Sequence, residues 1–341
     1  MQSKLNAYFT ITTIHDTKHK KCFIYDPQNR RAFYDYSPDK TDIFVTEKLK
    51  YKLYYRPLTT TAAAEDPFHS SLPPITTSAS VSLLKSNLQK GVRRCNVEIS
   101  ILTSLALLQK DPIEFLRRLP IIYVEDVCVM EHFPIPVWLM MADKEYKINN
   151  YDIVLLLAIV HDLCLCMQYR EHKNTAGDYY ENESELEHNN CLLALFCRSK
   201  YGGMKGDMNM LKNAVHEYLE NPHYIVKDTW GVFGDAIRIV NNNMDKELYI
   251  LPEAIDFHPF PTMVTFLQKK TGCTEQEIKE AIWNAESRVN YRKPHAYKDT
   301  NNACWNMITP YLDDARYNAL RMQYVGGTSK GSIPKMIFTK K

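Results

Sequence analysis

Residues 83–127, LLKSNLQKGVRRCNVEISILTSLALLQKDPIEFLRRLPIIYVEDV, constrain the fold of this chain more than any other stretch. Leu84, Leu88 and Val92, then Ile99, Leu102, Leu105, Ala106 and Leu108, return near helical spacing, which gives a helix one apolar face. Asp111-Pro112 reads as a new helix start. The aspartate can accept from free N–H groups of the first turn, and proline fits the first helical position, where its missing N–H is no loss. Ile113, Leu116 and Leu119 carry the apolar face onward with Arg117 and Arg118 beside them, and Pro120 is expected to interrupt or reset the helix. Two helices joined at Asp111-Pro112 are therefore expected. The fold class that follows is mostly α, a multi-helix body with a small β-prone N-terminal module.

The run LQKGVRR, the Ala- and Leu-rich helix after it, and DPIEFLRRLPIIYVEDV resemble the C-terminal helical region of the MgsA/RarA replication-fork ATPases, whose eukaryotic counterpart is the Werner-helicase-interacting ATPase. Arg93 and Arg94, Asp111-Pro112, Arg117-Arg118-Leu119 and Glu125-Asp126 carry the resemblance. It is confined to residues 83–127. No G-x-x-x-x-G-K-[ST] phosphate cradle occurs in the chain, so it implies collar-like helices without the motor. Such helices contact DNA or another replisome protein, or self-associate.

Gln2, Leu5, Tyr8 and Phe9 form Q-x-x-L-x-x-Y-F in the opening MQSKLNAYFT. One turn of 3₁₀ helix puts positions i, i+3 and i+6 on one side, so Leu5 and Tyr8 make an apolar plug with Phe9 beside it. In its key positions this matches the PCNA-interacting peptide, or PIP box. The match implies a sliding clamp as partner, and with it the nucleus or the replication compartment of a large DNA virus. The alternative is that these residues open the first element of the fold.

At 341 residues the chain can bury one large or two modest cores. A net charge of +2 gives no global basic field, so nucleic-acid binding has to come from a local patch. Only 11 glycines argue against a large enzyme built on glycine-rich phosphate loops. Nine cysteines without a Cys-x-x-Cys point to a reducing compartment. The apolar run IVLLLAIV at 153–160 is too short to span a bilayer, so no membrane partner is expected.

The chain divides into a clamp-binding peptide at 1–20, a β-prone aromatic module at 21–57, a Thr/Ser/Pro-rich linker at 58–80, a helical domain at 81–325 and a basic tail at 326–341. Arg117, Arg118, Glu125 and Asp126 are expected to close ion pairs between helices. Arg93 and Arg94 have no obvious local acidic partner and are candidates for phosphate contact. Lys200 and Lys205 flank Gly202-Gly203; a flexible basic turn can approach a phosphate backbone, and a simple helix-terminating turn fits the same residues. Trp283 to Arg292 give a polar, aromatic stripe.

No nucleophile–base pair and no cofactor motif stands out, which favours a non-catalytic replication or repair accessory factor. Two alternatives remain. One is a metal-dependent nuclease or phosphohydrolase centred on His161-Asp162, with further ligands from His132, His172, His188 or Asp178. The other is a purely structural helical scaffold. Cys164, Cys166, Cys191 and Cys197 with His188 form a poor zinc set, because Cys-x-Cys on one helix points to different faces.

Overall fold

The computed structural model describes residues 21–59, 72–170, 186, 188–229, 233–243, 247–256, 261–293 and 300–325. The candidate clamp peptide 1–20, the middle of the linker, His172, Asp178 and the tail 326–341 lie outside the described residues.

Four strands come first: β1 (Cys22–Asp26), β2 (Arg31–Asp35), β3 (Ile43–Lys48) and β4 (Tyr51–Tyr55). They form one sheet in the order β2-β1-β4-β3, with β1 antiparallel to β2 and parallel to β4, and β3 antiparallel to β4. Every residue of β1 is buried, as a central strand covered on both faces must be. The β1–β2 turn is held by Asp26, whose carboxylate accepts from the Asn29 backbone at 3.1 Å and side chain at 2.8 Å. Leu49 and Lys50 both take positive φ, 49° and 73°, which matches the strand twist in a two-residue hairpin.

Twelve α-helices follow among the described residues. They are α1 (Val81–Arg93), α2 (Val97–Lys110), α3 (Pro112–Asp126), α4 (Pro134–Ala142), α5 (Asn150–Leu165), α6 (Asn190–Lys200), α7 (Lys205–Glu220), α8 (Phe233–Asn241), α9 (Pro252–Ile255), α10 (Pro261–Thr271), α11 (Glu275–Ile282) and α12 (Ala303–Val325). A π-helical turn, Trp283–Ser287, extends α11. The mostly α body with an N-terminal sheet is thus the architecture. None of the described helices is long and apolar enough to cross a membrane.

The sheet is not a free-standing module. Its aromatics join the same core as the helices. The Trp138 indole of α4 donates to the Phe23 carbonyl at 2.9 Å, and the Tyr25 hydroxyl donates to Asp152 of α5 at 2.7 Å. Burial pushes the Asp152 carboxyl up to about 6, against hydrogen bonds from the Asn149 backbone, Tyr25 and Tyr146.

Residues 81–126 fold as three helices, not two. The extra break lies at Arg94-Cys95-Asn96, where Cys95 takes φ 52° and the Asn96 side chain caps α2 by accepting from Ile99 N at 3.0 Å. The apolar pattern hides it, because Val92 and Ile99 are seven residues apart and stay in helical phase. Pro120 lies inside α3 and Pro310 inside α12; neither interrupts its helix. Around Pro120, burial of Leu119, Ile121, Ile122 and Tyr123 holds α3 together despite the missing backbone bond. α7 begins at Lys205 without a side-chain cap, and Asp207 lies in its first turn. α5 is buried nearly all round, as its composition requires.

α1 and α2 meet at Gly91. A Cβ there would lie 2.6 Å from Ser100 Oγ. Gly91→Ala is expected to cost about 1–3 kcal/mol by overpacking. Adding Ser100→Ala, which removes the clashing oxygen, should recover most of that cost in urea unfolding; equal stability of single and double variants would show that the close approach does not limit the packing.

Candidate nucleic-acid interface

The four paired arginines of the organising stretch exchange the roles their spacing suggests. Arg93 faces inward with its side chain 4% exposed. Its guanidinium pairs with Asp126, donates to Glu125 at 2.6 Å and donates to the Ser287 carbonyl at 2.8 Å. Gln89 donates to the same two carboxylates at 2.8 Å each. Arg94 is buried too, donating to the Val289 carbonyl and, at 2.7 Å, to the Glu286 carbonyl, with Glu253 at 4.0 Å. Neither is placed for phosphate contact. Their partners lie more than thirty residues away in sequence, beyond the reach of local pattern reading.

Arg117 and Arg118 close no ion pair with Glu125 or Asp126 within 4 Å, although the Arg118 charge acts on the Glu125 carboxyl. Arg117 pairs with Glu114 at 3.4 Å and is 41% exposed; Arg118 is half-buried at the same surface. They line a cleft of about 130 Å³ with Lys85, Arg198, Glu114 and Asp207. Arg198 ties the cleft together, donating to the Arg117 carbonyl at 2.9 Å and to the Gly202 carbonyl at 3.0 Å. Gly202 and Gly203, at φ 100° and 149°, let the chain turn sharply between α6 and α7. Lys200 and Lys205 stand exposed on either side of that turn. Burial first, and then the positive charge of Arg117, hold the Arg198 guanidinium down to about 10. The cleft gathers Lys85, Arg117, Arg118 and Arg198 around Glu114 and Asp207; Glu114 pairs with both Lys85 and Arg117, and Arg198 is buried. In the sequence, Lys85 is hidden by its apolar helix, and Arg198 reads only as a helix-terminating charge.

The Trp283–Arg292 stripe is largely inward. Arg292 donates to the carbonyls of Val92 and Cys166 at 2.6 Å and of Leu163 at 2.5 Å. Asn290 donates to the Asp126 carbonyl at 2.8 Å. Trp283 and Tyr291 remain exposed.

Among the described residues, His161 and Asp162 assemble no metal centre. Asp162 accepts from the Thr229 hydroxyl and from its backbone at 3.0 Å, with His132 Nε2 at 3.6 Å. His161 has a buried Nδ1 without a hydrogen-bond partner. His132 Nδ1 meets the Tyr123 hydroxyl at 2.5 Å, and Asp228 lies 3.8 Å from its other nitrogen. This buried cluster ties the 226–229 segment to α5. Among the described residues no group of three or more His, Cys, Asp or Glu is placed to hold a metal ion. The cysteines scatter as well: Cys166 faces Cys128, Cys191 faces the Met130 carbonyl, and Cys197 accepts from the Tyr34 hydroxyl.

Two outcomes follow from the buried arginine lock. Arg93→Ala leaves two carboxylates uncompensated and should cost about 3–5 kcal/mol in chemical unfolding, whereas Arg117→Ala should stay within about 0.5 kcal/mol. A cost for Arg93→Ala no larger than for Arg117→Ala would contradict the lock. Lys90, donating to the Ser287 carbonyl, is fully buried; burial first and Arg93 second lower its ammonium to about 7. The unfolded chain holds that proton up to about pH 10.4, so between those values the unfolded state binds more protons and this group's contribution to stability rises with pH. Lys90→Met should therefore be more stabilising at pH 6 than at pH 9.5; an advantage independent of pH would show that Lys90 is not titrating in the fold.

No protein-family model matches the chain, no curated protein matches it, and no solved structure matches it.

Proposed function

We propose that this protein is a non-catalytic accessory factor of DNA replication or repair, which docks on the sliding clamp through Gln2, Leu5, Tyr8 and Phe9 and contacts nucleic-acid phosphates with its helical body. Two observations support the reading. The first is the Q-x-x-L-x-x-Y-F spacing at residues 2–9. The second carries the nucleic-acid half: Arg117 and Arg118 at the cleft rim, flanked by exposed Lys200 and Lys205, where Lys85 is already paired with Glu114 and Arg198 is buried on backbone carbonyls. Exposed cations without enough acidic neighbours are what a phosphate backbone neutralises, releasing counterions as it does so. Arg93 and Arg94 drop out of this surface, and Lys200 and Lys205 stay in it.

Calorimetric titration of the full chain into PCNA tests the first half. Tyr8→Ala/Phe9→Ala removes the aromatic plug and should cost at least about 2 kcal/mol, roughly thirtyfold in affinity. No binding by the intact chain to the clamp of its own organism would remove that half. Fluorescence anisotropy with labelled DNA at several salt concentrations tests the second. Arg117→Glu/Arg118→Glu and Lys200→Glu/Lys205→Glu should each weaken binding and lower the salt slope by about one for every phosphate left without its cation. Unchanged affinity and slope in both variants would place any DNA binding elsewhere.

A further inference from the structure

The C-terminal ends of α3 and α5 bring two thiols together. Cys128 follows the Val127 cap of α3, Cys166 caps α5, and their sulfurs are 3.7 Å apart. The flanking backbones are already joined. Arg170 N donates to the Val127 carbonyl at 3.0 Å, and Arg292 donates to the Cys166 carbonyl at 2.6 Å. To form a bond of about 2.05 Å the sulfurs have to close from 3.7 Å. The two thiols are also unequal. Cys128 is fully buried and Cys166 is partly exposed. An S–H donated by Cys128 lowers the Cys166 thiol to about 6, and the Arg292 charge helps; the same hydrogen bond, with burial behind it, pushes the Cys128 thiol up.

We propose that Cys128 and Cys166 form a reversible oxidation site, in which a peroxide converts the thiol pair into an intramolecular disulfide. Cys166 is the attacking group, because it is partly exposed whereas Cys128 is fully buried. Its sulfur attacks one oxygen of hydrogen peroxide: the S–O bond forms, the O–O bond breaks, and the departing hydroxide takes up the Cys166 proton as water. The Cys128 sulfur then attacks the Cys166 sulfur: the S–S bond forms, the S–O bond breaks, and the second hydroxide leaves as water with the Cys128 proton. Two thiols lose two electrons, and one peroxide becomes two waters. The bond staples the end of α3 to the end of α5, directly beside Arg292. Nine cysteines without a disulfide, in a chain whose composition points to a reducing compartment, leave such a bond free to be undone by thiol exchange.

The test treats the full chain with a stoichiometric amount of hydrogen peroxide under native conditions, followed by alkylation, digestion without reductant and mass spectrometry. The expected product is a linked pair of peptides carrying Cys128 and Cys166, two hydrogen masses below their sum. It should revert with dithiothreitol and be absent in Cys166→Ser, a change at a partly exposed site that leaves the core intact. In Cys128→Ser the Cys166 sulfenic acid should persist and be captured by dimedone. Two results overturn the proposal: Cys166 remaining reduced while other cysteines oxidise, or dimedone capture of Cys166 in the unsubstituted chain to the same extent as in Cys128→Ser.

Discussion

Three helices end at one place, and the structure depends on how those ends are satisfied. α1, α3 and α5 converge with their carbonyl ends, each leaving unpaired acceptors and partial negative charge. A single segment far along the chain, residues 286–292, answers all three. Arg292 reaches the carbonyls of Val92, Leu163 and Cys166, Asn290 reaches that of Asp126, and the Tyr291 backbone donates to that of Arg93 at 3.0 Å. Arg93 and Lys90 point back to the Ser287 carbonyl from α1. These groups are buried, so each would cost more than a hydrogen bond if left unmet. The helices of the organising stretch are locally encoded, but their arrangement is closed from nearly two hundred residues away.

That division explains what could be read in the sequence. Helix periodicity, the Asp111-Pro112 start of α3 and the Gly202-Gly203 turn are local, and the structure has them all. The break at Asn96 was not legible, because the apolar residues on either side keep phase across it. Pro120 misled, because tertiary burial outweighs the local preference to end a helix there. The docking of the sheet was hidden too: Trp138 meets Phe23 and Tyr25 meets Asp152 across more than a hundred residues.

The site was legible only in part, for the same reason. Residue type said that Arg93, Arg94, Arg117 and Arg118 matter, but not which of them face the core. Inside and outside differ by partners that one chain cannot display as a pattern: Glu125 and Asp126 close on Arg93, and Glu286 and Val289 on Arg94. What remains at the surface is the charge of α3 beside the Gly202-Gly203 turn. The resemblance of residues 83–127 to a replication-associated helical collar and this surface charge both bear on the proposed role, and they share Arg117 and Arg118. The first rests on residues that the structure assigns largely to architecture.

The sorting of arginines into an internal set and a phosphate-facing set is the claim on which the account stands. Arginine-selective labelling with phenylglyoxal, read by mass spectrometry with and without duplex DNA, tests it in one experiment. The account predicts that Arg93, Arg94 and Arg292 stay unlabelled in both conditions, while Arg117 and Arg118 label readily in the free protein and are shielded by DNA. Labelling of Arg93 and Arg94 in the free protein, with shielding by DNA, would contradict it.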